Sequence, residues 1–263
     1  SDGDNLFLSS ILAVDADTGA YRWHYQTTPR DRWDYTATQQ ITLADLPLGE
    51  DGANRRVVMQ APKNGFFYVL DAADGELISA TPFTAQNWTT GEFDENGRPE
   101  LVEEAVDLAL YAVVPGPTGA HNWHPMAFNP DTGLVYIPVN EIPFFYDKTR
   151  NVEDSKSFWN IGYDAAAGWP VEYPAGTLDA VRDLDGGSLL AWDPVKAEPR
   201  WAVPFALPLN GGVLSTQAGL VFQGNKFGEF VAMEFTENRR VGLAQHIGQD
   251  IQAPTMRHTE HQL

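Results

Sequence analysis

The chain has 263 residues, no cysteine, and 17 Lys and Arg against 36 Asp and Glu, which gives a formal net charge of −19. This acidity excludes nucleic acid and anionic membranes as main partners, because both attract basic surfaces. The absence of cysteine excludes disulfides, thiolate metal sites and a cysteine nucleophile within these residues. No apolar run is long enough to span a bilayer.

Short apolar runs bounded by Gly, Asp and Asn recur along the chain and predict β-strands. They lie at 6–8, 57–59, 66–70, 134–139, 189–192 and 220–222. Only the stretch 101–111 has the apolar period of a helix, and it is short. The 23 glycines and 18 prolines supply many turns. The sequence therefore predicts an all-β protein.

One hairpin unit repeats among these strands: an apolar strand ending in an acidic or polar residue, a turn, and a second strand that often carries Trp. It occurs at 11–23, 68–77 and 189–201, in degenerate form at 230–241, and as a related hairpin elsewhere in its blade at 126–136. A repeat of roughly 40 to 50 residues is typical of β-propeller blades. The long loops 83–117 and 144–185 are then insertions that build a ligand face, while the Trp and Gly residues of the repeat are scaffold.

Three polar and aromatic blocks do not fit an ordinary blade turn. In chain order they are Trp23-His24-Tyr25-Gln26 continuing to Arg30-Asp31-Arg32-Trp33-Asp34-Tyr35, then Pro62-Lys63-Asn64-Gly65-Phe66-Phe67-Tyr68, then Gly119-Ala120-His121-Asn122-Trp123-His124-Pro125. Taken singly, Asp34 is a turn residue, Lys63 a solvated strand-end lysine, and Asn122 with Trp123 a buried loop anchor. The order of the three blocks is what points to a shared site.

The three blocks together resemble the pyrroloquinoline quinone (PQQ)-dependent alcohol dehydrogenases, closest to the ethanol-oxidising type, over nearly the whole chain. That resemblance implies an eight-bladed β-propeller with the quinone and Ca²⁺ in its central channel. We expect residues 1–263 to form a partial propeller domain, an arc of about four to five blades. The repeat also resembles that family's tryptophan-docking motif, in which each Trp packs between neighbouring blades.

The resemblance assigns a role to four residues. Asp34 matches the catalytic aspartate, which also lies beside or on the metal; Lys63 matches the cation at the reactive carbonyl region of the quinone; Asn122 and Trp123 match residues that line the cofactor pocket. A carboxylate can take the hydroxyl proton of an alcohol, and a fixed ammonium can stabilise charge that develops on the quinone. Lanthanide-using relatives carry a second Asp two positions after the catalytic one, and Thr36 at that position favours Ca²⁺.

The other candidate residues are predicted to have structural roles. Asp31 is expected to hold its loop or Arg32, and His121 and His124 are expected to be hydrogen-bonded structural histidines, since no third metal ligand with suitable spacing accompanies them. The segment Asp15 to Gly19 lacks the length and closing Glu of an EF-hand and is predicted to be a blade turn.

Several parts of the family pattern are missing. The resemblance places the remaining metal ligands, an adjacent-cysteine disulfide and a stacking Trp before a segment such as this one. Leu209 stands where relatives have a Trp that walls the pocket, and 242–245 lacks the usual docking Trp. We therefore expect roughly the second half of a catalytic domain, which cannot hold the quinone tightly alone.

The resemblance implies oxidation of primary or secondary alcohols to aldehydes or ketones, with a soluble cytochrome c or similar carrier as electron acceptor, in the periplasm. The alternatives are a non-catalytic propeller that serves as a binding scaffold and a sugar-oxidising relative with the same cofactor. The first alternative leaves the joint occurrence of Asp34, Lys63 and Asn122 unexplained. The blocks around Phe66 and Asn122 favour the alcohol type over the second.

Overall fold

The structure, a computed structural model, describes residues 3–107, 110–147, 186–234 and 240–245. Its strands are β1 (Ser10–Val14), β2 (Tyr21–Gln26), β3 (Thr42–Leu46), β4 (Arg55–Gln60), β5 (Phe66–Asp71), β6 (Leu77–Pro82), β7 (Thr89–Phe93), β8 (Pro99–Leu101), β9 (Leu110–Val113), β10 (Ala127–Asn129), β11 (Leu134–Asn140), β12 (Phe144–Asp147), β13 (Gly187–Asp193), β14 (Glu198–Phe205), β15 (Val213–Ser215), β16 (Leu220–Gly224), β17 (Glu229–Glu234) and β18 (Arg240–Gln245). Helix α1 (Glu103–Asp107) and a 3-10 turn at Glu50–Gly52 are short. Across the described ranges, no helix has the length and apolar character needed to cross a membrane.

Three four-stranded sheets follow one another along the chain. Their strand orders are β3-β4-β5-β6, β10-β11-β13-β14 and β15-β16-β17-β18, and every neighbouring pair is antiparallel. The hairpin β1-β2 precedes them, and β7-β8 and β9-β12 form two small ribbons. Four-stranded antiparallel meanders in series are propeller blades. The predicted all-β class and the partial arc of a propeller are confirmed.

The repeated unit forms the third and fourth strands of each blade. Its hairpins are β1-β2, β5-β6, β13-β14 and β17-β18, and each has a register shift just before the turn. In β1-β2 and β13-β14 the Asp that follows the shift folds the turn with its own carboxylate: Asp15 Oδ1 accepts from the amide of Thr18 at 3.0 Å, and Asp193 Oδ1 accepts from that of Lys196 at 3.1 Å. Asp15 to Gly19 is thus a blade turn, as predicted.

Consecutive sheets pack face to face through apolar side chains. In β5, Phe66, Tyr68 and Leu70 join the core shared with β1-β2, whereas Phe67 and Val69 join the core shared with the next sheet. The ring of Phe67 lies 5.8 Å from that of Trp192 on that sheet. Because successive side chains of a strand point to opposite faces, a strand buried on both sides is a continuous apolar run. This explains why the predicted strands in the sheets can be continuous apolar runs. The strand predicted at 6–8 is wrong, since these residues form a turn before β1.

Trp23 shows how a repeat tryptophan joins two blades. Its Nε1 donates to the carbonyl of Ala72 at 3.2 Å, in the turn of the following blade. A Cβ on Gly75 of that turn would lie 2.6 Å from Trp23 Cε3, and Gly75 has φ +79°. Only glycine satisfies both the close approach and the left-handed backbone. The turn glycine and the tryptophan of the preceding blade are therefore one packing unit.

Loops at one end of the blades carry the candidate site residues. The predicted insertion 83–117 contains β7, β8, α1 and β9, so the expected helix over 101–111 is reduced to the five residues of α1. The second predicted insertion, 144–185, lies outside the described residues after β12. Buried amides tie the loops that precede the first strands: Gln60 Nε2 donates to the carbonyl of Gln39 at 2.8 Å, and Gln223 Nε2 donates to that of Gly211 at 2.8 Å.

Candidate active site

The segment between β2 and β3 folds around Asp31. Its carboxylate is buried and accepts the backbone N–H groups of Trp33, Tyr35 and Thr36 at 2.9, 3.2 and 3.2 Å. Asp34 lies within this wrapped loop and has φ +63°, in the left-handed region that costs energy for a residue with a side chain. The expectation that Asp31 holds its loop is met, and the loop presents Asp34 at its tip.

Lys63 reaches Asp34 from the connection between β4 and β5. Its Nζ donates to the backbone carbonyl of Asp34 at 2.8 Å and to Asp34 Oδ2 at 3.0 Å. The Lys63 side chain is 9% exposed, whereas that of Asp34 is 69% exposed. Asp34 and Lys63 belong to separate sequence motifs and lie 29 positions apart, yet they form one ion pair. Its ammonium is covered by protein and its carboxylate faces outward.

The third block packs directly on the lysine stem. A Cβ on Gly119 would lie 2.3 Å from Lys63 Cγ and 2.7 Å from Lys63 Cα, and Gly119 has φ +77°. The amide of Ala120 donates to the carbonyl of Lys63 at 2.9 Å. Gly119 is therefore required by a close approach, and it brings the loop of Asn122 and Trp123 against Lys63. Sequence reasoning missed this glycine, although the run of Gly and Pro before His121 was visible.

Asn122 and Trp123 differ in how they are held. Asn122 Nδ2 donates to the carbonyl of Thr118 at 2.9 Å, while Asn122 Oδ1 and Thr118 Oγ1 are buried with no hydrogen-bond partner among the described residues. The indole of Trp123 is 84% exposed. A buried acceptor without a donor is costly unless another group supplies one. This loop, which contacts Lys63 through Gly119 and Ala120, thus offers polar atoms and an exposed aromatic ring.

His121, by contrast, is fully engaged inside the protein. Its Nδ1 lies 2.6 Å from the carbonyl oxygen of Ala61 and its Nε2 lies 2.8 Å from that of His124. Burial lowers the pKa of His121, although both carbonyls act in the opposite direction. Neither ring nitrogen of His121 is therefore free to bind a metal, which agrees with the structural role predicted for this residue. No cluster of three or more metal-ligating His, Asp or Glu side chains occurs in the part of the chain that the structure describes.

Buried aromatic side chains contact the loops of all three blocks. Tyr35 is buried, and its hydroxyl donates to the carbonyl of Pro115 at 2.7 Å. Trp88 lies between the blocks, with its ring 5.7 Å from Trp33 and 5.4 Å from Tyr35, and its Nε1 donates to the carbonyl of Asn64 at 2.9 Å. These contacts fix the spacing of loops that are far apart in sequence.

A fourth loop, 209–212, joins the same region. The amide of Leu209 donates to Asn140 Oδ1 at 2.6 Å, and a Cβ on Gly212 would lie 2.4 Å from Pro125 Cδ. The loop is thus packed against the third block without its expected tryptophan. The side chain of Leu209 is smaller than the indole that the family resemblance led us to expect at this position.

Comparison with known proteins defines the class. Residues 1–86 match the PQQ family model described as the β-propeller domain of glucose, ethanol and alcohol dehydrogenases. The chain is 49% identical over 239 residues to the quinohemoprotein alcohol dehydrogenase ADH-IIG of Pseudomonas putida, covering 88% of this chain and 32% of that protein. It is 40% identical over 252 residues to the 1-butanol dehydrogenase (cytochrome c) of Thauera butanivorans, covering 92% and 34%.

A solved structure gives the same result. The quinohemoprotein alcohol dehydrogenase of Comamonas testosteroni superposes with a TM-score of 0.77 at 42% identity, covering 92% of this chain and 36% of that one. The chain spans about a third of the length of the curated relatives it matches. The resemblance to PQQ-dependent alcohol dehydrogenases is confirmed over most of this chain, and the match to the model of their β-propeller domain covers residues 1–86.

The structure brings Asp34 and Lys63 into contact and places Asn122 and Trp123 on the loop packed against Lys63. The chemical roles of these four residues stay predictions. Tyr35 and Gly119 were not among the predicted site residues, because their importance lies in contacts with segments that are distant in sequence.

Proposed function

We propose that the protein containing this chain oxidises primary or secondary alcohols to aldehydes or ketones with PQQ and Ca²⁺, and that residues 1–263 are part of its propeller domain. Asp34 is the base, Lys63 is the cation beside the quinone, and Asn122 and Trp123 line the cofactor pocket. The observation that carries the proposal is the double contact of Lys63 Nζ with the carbonyl and carboxylate of Asp34, at 2.8 and 3.0 Å.

The residues present suit a polar, planar quinone. Lys63 supplies a positive charge, Asn122 Oδ1 and Thr118 Oγ1 are buried polar atoms without described partners, and the ring of Trp123 is open. PQQ, when bound, supplies the oxidising power by accepting two electrons and the hydrogen from the alcohol carbon. The protein groups orient it and stabilise charge on its oxygens.

Asp34 is arranged to accept a proton. Lys63 donates a hydrogen bond to Oδ2 of Asp34. Oδ1 has no hydrogen-bond partner among the described residues, and the side chain is 69% exposed. The left-handed backbone and the bond from Lys63 to the Asp34 carbonyl fix the direction of the side chain. A fixed carboxylate within reach of an alcohol can take the hydroxyl proton as hydrogen leaves the carbon. Lys63 thereby acts as both an electrostatic and an orienting group.

We propose that the Asp34 carboxylate is also the ligand that this chain contributes to the Ca²⁺ site. Calcium prefers oxygen ligands, and an outward-facing carboxylate is suited to it. Thr36, two positions later, adds no second negative charge, which favours a divalent ion over a trivalent one. Asp34 would then serve the metal and the proton transfer from one position.

The electron acceptor is proposed to be a soluble cytochrome c or a similar carrier, and the location the periplasm. One relative is named as a cytochrome c-linked butanol dehydrogenase, which supports the acceptor and the substrate class. The net charge of −19 suits a basic partner.

The test uses the full-length protein that contains this chain, reconstituted with PQQ and Ca²⁺. We expect dye-linked alcohol oxidation that requires both additions and is lost on calcium chelation. Asp34→Asn should lower kcat by about 100-fold or more, because it removes general-base catalysis. Asp17→Asn, at an exposed blade turn, is the matched control and should match the wild type.

Quinone binding is followed separately by absorbance titration. Retained binding with lost turnover assigns Asp34 to the chemical step. Full turnover by Asp34→Asn would show that Asp34 is not the base. If the wild-type protein binds quinone but oxidises only sugars, the proposed substrate class is wrong. A protein that binds no quinone would favour the scaffold alternative.

A further inference from the structure

We propose that Asp31 is a positioning residue that orients Asp34 by accepting the N–H of the Asp34–Tyr35 peptide, whose C=O accepts a hydrogen bond from Lys63. The inference rests on the proposed function in one respect, the role of Asp34 as the base. It assigns a task to a buried carboxylate that the proposed mechanism does not use.

Asp31 differs from the blade-turn aspartates Asp15 and Asp193. Asp15 and Asp193 accept N–H groups two and three residues later, at blade turns. Asp31 is only 9% exposed and accepts N–H groups two, four and five residues later, together with the hydroxyl of Ser9 at 2.5 Å. No Lys or Arg of the described residues forms a salt bridge with it. The carboxylate is instead held by the three loop amides and the Ser9 hydroxyl.

The peptide between Asp34 and Tyr35 connects the two charges. In a trans peptide the N–H and C=O groups point in opposite directions. The N–H of Tyr35 points at Asp31 Oδ1 at 3.2 Å, and the C=O of Asp34 points at Lys63 Nζ at 2.8 Å. The negative carboxylate and the positive ammonium therefore polarise the same peptide in the same sense. We call this arrangement, Asp31–peptide–Lys63, the peptide clamp.

The clamp accounts for the backbone of Asp34. Asp34 at φ +63° and Thr36 at φ +37° are both in sparsely populated conformations for residues with side chains. Such conformations persist when surrounding bonds fix them. Asp31 Oδ2 holds the amide of Thr36, and Oδ1 holds those of Trp33 and Tyr35, so the residues on both sides of Asp34 are fixed. Without these bonds the Asp34 carboxylate would lose its fixed direction.

The experiment compares two variants of the full-length, PQQ- and Ca²⁺-loaded protein. Asp31→Asn keeps the volume but replaces one acceptor oxygen with an NH₂ group, so at least one loop amide loses its acceptor. We expect kcat to fall by about 100-fold with little change in KM, since a small misplacement of a reacting group has an effect of this size. Ser9→Ala removes a bond to the same carboxylate but leaves all three loop amides paired, and its kcat should stay near that of the wild type.

Hydrogen exchange resolved to single amides provides a readout independent of turnover. At least one of the amides of Trp33, Tyr35 and Thr36 should exchange faster in Asp31→Asn, and none of them in Ser9→Ala. Equal kcat and equal exchange in the two variants would overturn the proposal. If the wild type oxidises no alcohol, the proposed function fails, while amide exchange still decides whether Asp31 holds the loop.

A second variant covers the case in which Asp31→Asn does not fold. Lys63→Met removes the ammonium from the Asp34 carbonyl without touching the Tyr35 amide. The peptide clamp predicts faster exchange of the Tyr35 amide in this variant, because the peptide loses its second anchor. Exchange equal to that of the wild type would overturn the clamp.

Discussion

Lys63 and Asp34 form an ion pair whose two members experience different surroundings. The lysine stem is covered by Gly119 and its ammonium is buried, while the carboxylate faces solvent. An ion pair with one exposed member contributes about 1 kcal/mol or less to folding, because water already solvates that member well. The pair is therefore poorly explained as a stabilising device. Its geometry is better explained by the need to hold a carboxylate in one direction.

His121 gives a residue-scale prediction for pH dependence. Burial lowers its pKa from the usual 6.5, so the folded state favours the neutral ring. The unfolded chain binds the proton more readily, and stability contributed by the neutral ring is present above about pH 6.5 and is lost as pH falls towards the lower, folded-state pKa. We expect the free energy of unfolding of the full-length protein to fall over this window, and to fall less steeply in His121→Gln. Urea unfolding at several pH values measures both slopes, and parallel slopes would contradict the assignment.

At the scale of elements, the docking of one blade on the next depends on single turn glycines. Gly75 and Gly19 occupy equivalent turns with φ +79° and +70°, but only Gly75 has a neighbour, the ring of Trp23. Alanine at either position meets backbone strain of about 1 to 2 kcal/mol. Gly75→Ala adds the overpacking of a rigid indole, which costs about 1 to 3 kcal/mol more. Urea unfolding and tryptophan fluorescence of the two variants measure this difference, and equal losses of stability would exclude the docking role of Trp23.

The same contrast shows what could be predicted from sequence. The hairpins were predictable because an apolar run, its Asp and its turn residues are adjacent in the chain, and their bonds are local. The placement of Lys63 and Asp34 at one site was predicted only from family resemblance, and their direct contact was not predicted. Gly119 packs on a lysine stem 56 positions earlier, and such a contact leaves no periodic pattern in the sequence. Contacts of this kind are set by the packing of blades.

At the scale of the whole molecule, the series of blades brings four loops to one region. The third strands β5 and β13 bury both faces against neighbouring sheets, so the loops at their ends are spaced by the cores beneath them. Trp88 and Tyr35 then bridge the loops directly. A site made in this way depends on the distance between blades, and a change in blade packing would alter it without any change in its own residues.

The charge of the molecule leads to a prediction about electron transfer. If the proposed acceptor is a basic cytochrome c, the net charge of −19 on these residues would attract it over distances comparable to the Debye length, which shrinks as salt is added. We expect the second-order rate of cytochrome c reduction by the loaded full-length protein to fall about tenfold or more between low and physiological ionic strength, as for other steered associations. Ferricyanide, an anion, is the matched acceptor, and its rate should rise over the same range because repulsion is screened. Stopped-flow measurements at several salt concentrations give both rates. A cytochrome rate that is independent of salt would show that the acidic surface does not guide the acceptor, and a parallel fall with both acceptors would indicate an effect of salt on the enzyme itself.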